Sequence, residues 1–204
     1  MSEQQVLHIL ERVGAVLTGT HVVYTSGRHG ETYVNKDALY TSTEDTSAVC
    51  KLIAEHFAAA AADVVAGPTI GGVILAQWVA HHSAPGAGGR RPAAIYAEEV
   101  DGLRVFRRGY ADFLPGRRVL VVEDILTTGG SARKVVDAVR AAGGEVAGLG
   151  ALCNRGGITA ETVGVPELYA LTTLPLSSWD AAGCPLCRAG VPINTKVGKG
   201  GTSK

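Results

Sequence analysis

Short, unbroken apolar runs alternate along the chain with stretches in which apolar residues recur every three or four positions. Val64-Val-Ala66, Ala93 to Ala97, Val119-Leu-Val-Val122 and Gly148-Leu-Gly-Ala-Leu-Cys153 have the length and composition of strands buried on both faces. After the third run, Ala132, Val135, Val136, Val139 and Ala142 fall at helical spacing, and Gly143-Gly144 stops that helix. A second apolar helix is predicted through Trp78 and Val79, and the alanines at 58–62 read as a helix end. Strands alternating with helices predict an α/β fold with a central, mostly parallel sheet flanked by helices. The exception lies near the N-terminus. There Val22 and Tyr24 alternate with polar neighbours, Ser26-Gly27 makes a turn and Tyr33-Val34 returns, so this stretch predicts a hairpin.

Chemistry enters where the third run ends. Glu123 and Asp124 stand at its C-terminal edge, followed by Ile125-Leu126 and the loop Thr127-Thr128-Gly129-Gly130-Ser131, which leads straight into the helix. A glycine-containing loop at a helix N-terminus cradles phosphate, because free amides and the helix dipole both favour an anion. Carboxylates cannot hold phosphate, but they suit sugar hydroxyls, a metal ion near the substrate or a developing positive charge. Phosphate at one end and acids beside it fit a sugar phosphate. The common nucleotide fingerprints are missing: the chain has no G-x-x-x-x-G-K-[ST] and no G-x-G-x-x-G after a strand. In parallel sheets ligands bind beyond the carboxyl ends of the strands, where these loops belong.

Val121 to Ser131 resembles the phosphoribosyl-pyrophosphate (PRPP) signature of the type I phosphoribosyltransferases, and within that family the chain is most similar to the orotate enzymes. The resemblance implies the type I fold with a small N-terminal hood, formed mainly by residues 1–40 and the C-terminal segment, in one domain over 1–195. It implies that Glu123 and Asp124 hold the ribose hydroxyls and act in catalysis, with Ile125, Leu126, Thr127, Thr128, Gly129, Gly130 and Ser131 around the 5′-phosphate. Gly71 and Gly72, in the glycine-rich loop after Val64-Val-Ala-Gly-Pro68, would lie against the pyrophosphate. By itself that junction is more often ordinary packing of a strand and a helix. The segment Thr25-Ser-Gly-Arg28 through Tyr33-Val34-Asn35 resembles the hood of orotate enzymes, although Arg28 also suits a solvated turn. Arg155, after the strand ending at Asn154, matches the arginine that pairs with the carboxylate of orotate, a role suited to a planar, always charged guanidinium. Thr127, Tyr33 and Val34 match positions that meet the base. The activity implied is transfer of the 5-phosphoribosyl group from PRPP to a base, orotate foremost, for pyrimidine synthesis. Mg²⁺ would be held mainly through PRPP, and the enzyme would be a homodimer. A transferase for another base, or a non-catalytic PRPP-sensing regulator, are the alternatives.

The chain departs from the family in two places. The basic loop that closes over the neighbouring subunit's site corresponds here to residues 96–109, which are short and carry Glu98 and Glu99 where basic residues are usual. Arg104, Arg107 and Arg108 remain, the last two expected at PRPP; a solvated hairpin face is the plainer reading of all three. The usual lysine beside the 67–72 loop is replaced by Gly71.

Composition narrows the remaining possibilities. With 204 residues, 46% of them hydrophobic, 19% charged and a net charge of zero, one core is expected and no nucleic-acid or membrane surface is suggested. The first residues lack a basic stretch ahead of an apolar one, so a cytoplasmic location is expected. Residues 84–92 read as a loop, and 196–204 as a disordered tail. Of the four cysteines, Cys50 and Cys153 read as core. Cys184-Pro-Leu-Cys187 finds no second C-x-x-C or H-x-x-H, so a thiol pair in a tight turn is favoured over zinc shared between subunits. A similar ending occurs in one branch of bacterial orotate enzymes.

Overall fold

The computed structural model describes residues 2–24, 26–85, 89–174 and 177–197. Its strands are β1 (Val16–Leu17), β2 (Val22–Val23), β3 (His29–Gly30), β4 (Tyr33–Val34), β5 (Val64–Pro68), β6 (Ala93–Val100), β7 (Leu103–Val105), β8 (Arg118–Leu126), β9 (Glu145–Asn154), β10 (Leu168–Thr173) and β11 (Ser178–Trp179). Its helices are α1 (Glu3–Arg12), α2 (Lys36–Tyr40), α3 (Thr43–His56), α4 (Gly71–His82), α5 (Tyr110–Phe113), α6 (Gly130–Ala141), α7 (Ala160–Val163) and α8 (Pro185–Arg188). A six-stranded sheet in the order β10-β9-β8-β5-β6-β7 forms the centre, parallel throughout except for the antiparallel edge strand β7.

Strand periodicity divides the core into two layers. Leu120 and Val122 of β8 face α1, α3 and α4, where they meet Leu10, Ile53, Leu75 and Val79. Val119 and Val121 point the other way, against Val135, Val136 and Val139 of α6. All of these side chains are buried, and each contributes roughly 1.5–3 kcal/mol by leaving water. This explains why β8 reads as an unbroken apolar run: both of its faces are covered. The predicted helices through Trp78 and after Ser131 are α4 and α6, and the alanines at 58–60 form a single 3₁₀ turn closing α3. α1 carries its own start signal, a capping box in which Ser2 and Gln5 bond each other's backbone amides.

The N-terminal hairpin differs from expectation. Ser26-Gly27 does turn the chain, with Tyr24 and Arg28 joined by a 2.8 Å backbone bond, but the strand that returns is His29–Gly30, not Tyr33–Val34. Tyr33–Val34 pairs instead with Val16–Leu17. Gly30 permits this register because the Tyr24 ring occupies the space where a side chain would stand. β3 also pairs with β11, so the N-terminal hairpin and the C-terminal segment share a three-stranded sheet. Arg28 is no free turn residue: it bonds Ser178 at 2.9 Å and Asp180 at 2.8 Å.

Cys50 and Cys153 are buried in the core. The expectation of an isolated thiol pair at Cys184 and Cys187 is corrected, because His21 and His29 of the hairpin stand against both thiols within the same chain. Residues 86–88 of the predicted loop and 198–204 of the predicted tail lie outside the described residues.

Candidate active site

Connections from β5 to β6 and from β8 to β9 run in opposite directions across the sheet, so the strand order reverses between β5 and β8. A crevice opens at such a point beyond the carboxyl ends of the two strands. The loops that end there are residues 69–70, leading into α4, and 127–129, leading into α6.

The acidic pair lies just before the end of β8, and the period of two sends its members to opposite faces. Asp124 turns to the α2–α4 side, where its Oδ2 accepts a 2.5 Å bond from Lys36 Nζ and its Oδ1 accepts from the Ile125 amide at 2.7 Å. Glu123 turns toward α6 and accepts from the Asp124 amide at 3.0 Å. Both are buried, with exposures of 5% and 6%, so their charges stand in a medium that screens poorly. Burial, and then the Asp124 carboxylate beside it, push the Glu123 carboxyl up to about 7. Burial opposes the charge of Lys36, but its bond to Asp124 and the neighbouring carboxylates outweigh it and raise its pKa.

Gly71 is required by this arrangement. A Cβ there would collide with the Asp124 carboxylate and come within 2.9 Å of the Tyr40 hydroxyl. A lysine at position 71 would have to displace the Asp124 carboxylate. The ammonium at the site comes from Lys36 instead, a residue the sequence reading passed over. The available clue was its place at the first position of α2, where a helix dipole disfavours a cation.

At the other loop, Gly129 caps α6 in a left-handed conformation, φ +75°, pressed against Val163 and Ile158. The first amides of α6 have no intrahelical acceptor, apart from the 3.3 Å bond that Gly130 donates to Thr128 Oγ1. Thr127, Thr128 and Gly130 are exposed there. Arg104 of β7 reaches in and bonds Thr69 Oγ1 at 3.1 Å and Ser131 Oγ at 3.2 Å, joining the two loops. Its Nε is buried without a partner among the described residues. Arg107 and Arg108 stay on the hairpin surface and pair with Glu98 at 3.8 and 3.1 Å.

Arg155 follows β9, its amide held by the Leu126 carbonyl at 2.8 Å, which sets it beside Thr127. Its guanidinium lies 5.7 Å from the centre of the Tyr24 ring, and its buried Nε has no partner among the described residues. Tyr24 is fixed by a 2.6 Å bond to the Thr32 carbonyl. Asn154 pins the turn beyond through two bonds with Ile158, at 2.8 and 3.0 Å. Val34 lines a small recess with Lys36, Asp124 and Ile125.

Paired carboxylates beside a helix-capping loop, at the strand-order reversal of a parallel sheet, form a cleft suited to a sugar phosphate. The model of the phosphoribosyl transferase domain matches residues 111–165, which run from α5 through the acidic pair and its loop to α7. The chain is 38% identical to orotate phosphoribosyltransferase of Pelotomaculum thermopropionicum, over 94% of this chain and 95% of that protein. It is 36% identical to the orotate phosphoribosyltransferase of Caldanaerobacter subterraneus, over 95% and 96%. Among solved structures, Mycobacterium tuberculosis orotate phosphoribosyltransferase in complex with PRPP matches with a TM-score of 0.64 at 28% identity, covering 84% of this chain and 96% of that one. The chain belongs to the orotate phosphoribosyltransferase family and is a pentosyltransferase.

Proposed function

We propose that this protein transfers the 5-phosphoribosyl group of PRPP to orotate, releasing pyrophosphate and forming orotidine 5′-monophosphate in de novo pyrimidine synthesis. One observation carries the choice of base: Arg155, a guanidinium with an unpartnered buried Nε, stands beside Thr127 at the mouth of the phosphate loop. Its guanidinium has no hydrogen bond or ion pair among the described residues, and the carboxylate of a planar base would supply the counter-charge.

In this reading residues 127–131 take the 5′-phosphate on free amides and hydroxyls. Glu123 and Asp124 accept the ribose hydroxyls and favour positive charge as the bond from the anomeric carbon to pyrophosphate loosens. Gly71, Gly72 and Arg104 lie on the pyrophosphate side, and Lys36 holds the Asp124 carboxylate in its orientation. A ring nitrogen of the base then attacks the anomeric carbon. Positioning and electrostatics supply the catalysis, with no covalent enzyme intermediate.

Both oxygens of Asp124 already accept bonds, and Glu123 holds a proton until about pH 7, so the chain has no bare ligand set here. The pair fits a Mg²⁺ ion carried chiefly by PRPP, which would neutralise the leaving pyrophosphate. Incubation with PRPP, Mg²⁺ and a panel of bases tests the reading. Pyrophosphate release with orotate is expected; release only with another base would replace orotate, and none with any base would favour a PRPP-binding regulator.

Asp124→Asn should lower transfer at least about tenfold, since a charge-assisted hydrogen bond is worth roughly 1.5–3 kcal/mol. Wild-type turnover in that variant would remove Asp124 from the mechanism.

A homodimer is also proposed. Arg107 and Arg108 project from an exposed hairpin, as residues serving a neighbouring site would, and Leu103 at its tip is 62% exposed. Sedimentation at micromolar concentration should give twice the chain mass, and a monomer alone would contradict this. No described helix is long and apolar enough to cross a membrane. All four cysteines are unpaired, which accords with a cytoplasmic, reducing setting.

A further inference from the structure

His21 stands just before β2, and His29 lies on β3 facing Val23. Cys184 and Cys187 bracket the first turn of α8, which Pro185 opens. One ligand atom from each of the four residues lies within 4.8 Å of the others. His21 Nε2 is 2.8 Å from His29 Nδ1, and Cys187 Sγ is 3.3 Å from the same nitrogen. Both sulfurs lie 3.7 Å from His21 Nε2. Around tetrahedral zinc, with bonds of about 2.0–2.3 Å, ligand atoms stand roughly 3.3–3.8 Å apart. Three of the four sulfur–nitrogen spacings already match, and the nitrogen pair would need to part by about half an ångström.

The surroundings prepare these atoms to ligate. His21 Nδ1 is 2.7 Å from the Val191 carbonyl, so its proton belongs on Nδ1 and Nε2 presents a lone pair to the cluster. His21, His29 and Cys184 are 2%, 7% and 0% exposed, whereas Cys187 is exposed and opens a path for an ion. Without an ion, the imidazoles share one hydrogen bond and the two thiols are left with weak sulfur contacts alone. That is a poor use of buried polar atoms.

We propose that His21, His29, Cys184 and Cys187 bind one zinc-class divalent ion in a closed, four-ligand structural site. Two nitrogen and two sulfur ligands suit a borderline-soft ion of tetrahedral preference, and with no open position the site does no chemistry on a substrate. Binding releases the two thiol protons to solvent and involves no change of oxidation state. The ion would join the β2–β3 hairpin to α8, tying ends of the chain whose ligands are 163 residues apart. That hairpin carries Tyr24, which packs against Arg155, so the ion would hold the base end of the cleft in shape. The proposal does not depend on which base is used.

Protein purified without chelator should contain one zinc per chain by elemental analysis. After chelation, Co²⁺ should refill the site and give thiolate-to-cobalt charge-transfer and tetrahedral d–d absorption. The Cys184→Ser/Cys187→Ser protein should retain less than about a tenth of the zinc and show neither band. If that variant does not fold, the cobalt spectrum of the wild type decides alone. The proposal is overturned by wild-type protein that holds no zinc and takes up no Co²⁺ with its thiols reduced. A Cys184–Cys187 disulfide in the purified protein, stoichiometric iron or copper, or zinc retained by the double variant would overturn it equally.

Discussion

Arg155→Ala is expected to end orotate use while leaving PRPP binding nearly intact. The carboxylate of orotate must exchange water for a fixed cation, and Arg155 is the proposed one, its backbone amide donating to the Leu126 carbonyl and its guanidinium beside the Tyr24 ring. Removing the guanidinium leaves the anion unpaired in a partly dry cleft, at a cost of about 2–5 kcal/mol. This corresponds to a loss of roughly thirtyfold to a few thousandfold in kcat/KM for orotate. The loop at 127–131 and the acidic pair, the proposed PRPP site, are untouched, so calorimetry should report nearly unchanged PRPP affinity. Persistent orotate turnover would show that another group holds the carboxylate. Lost PRPP binding would mean that the substitution had disturbed the phosphate loop as well.

The second large effect concerns Glu123 and pH. Its carboxyl titrates near 7 in the folded chain and near its ordinary value of 4.5 when unfolded. Between those values the folded state holds a proton that the unfolded state has lost, so stability falls as pH rises through this window and levels off above 7. Glu123→Gln carries no such charge. Without ligand it should be more stable than wild type by about 2–4 kcal/mol at pH 8, with the gap closing as pH falls toward 4.5. Denaturant melts at several pH values measure this directly, and a constant gap would refute the raised pKa. If PRPP hydroxyls bond Glu123 as proposed, they favour its ionised form, so the gain in affinity as pH rises to about 7 should be steeper for wild type than for the glutamine variant, which keeps only the titration of the PRPP phosphates.

The acidic pair illustrates why a buried site is both unstable and useful. Two carboxylates at adjacent positions of one strand repel each other, and Lys36 relieves only Asp124. Glu123, buried and beside that carboxylate, has no such cation among the described residues and its pKa rises. Sites poised for catalysis commonly store cost in this way.

Much of this protein was legible along the chain. β5, β8 and β9 were readable because both faces are covered, which leaves no polar position to break the run. The acids, the glycine loop and the start of α6 lie within about a dozen consecutive residues, so the phosphate cradle needed only local geometry. What the tertiary structure decided involves partners distant in sequence. Lys36 meets Asp124 across 88 positions, and nothing periodic marks it as that carboxylate's partner. Arg104 looked like one surface arginine among three until the packing of β7 brought it between Thr69 and Ser131. The hairpin register turned on Gly30 making room for a tyrosine ring, a steric fact invisible to hydrophobic alternation. The two cysteines had legible ligand spacing, but His21 and His29 did not, because facing strands, and not a helix turn, bring those imidazoles together. Local periodicity encodes which face of an element is buried; only the folded chain determines which charged and ligating groups come together between elements.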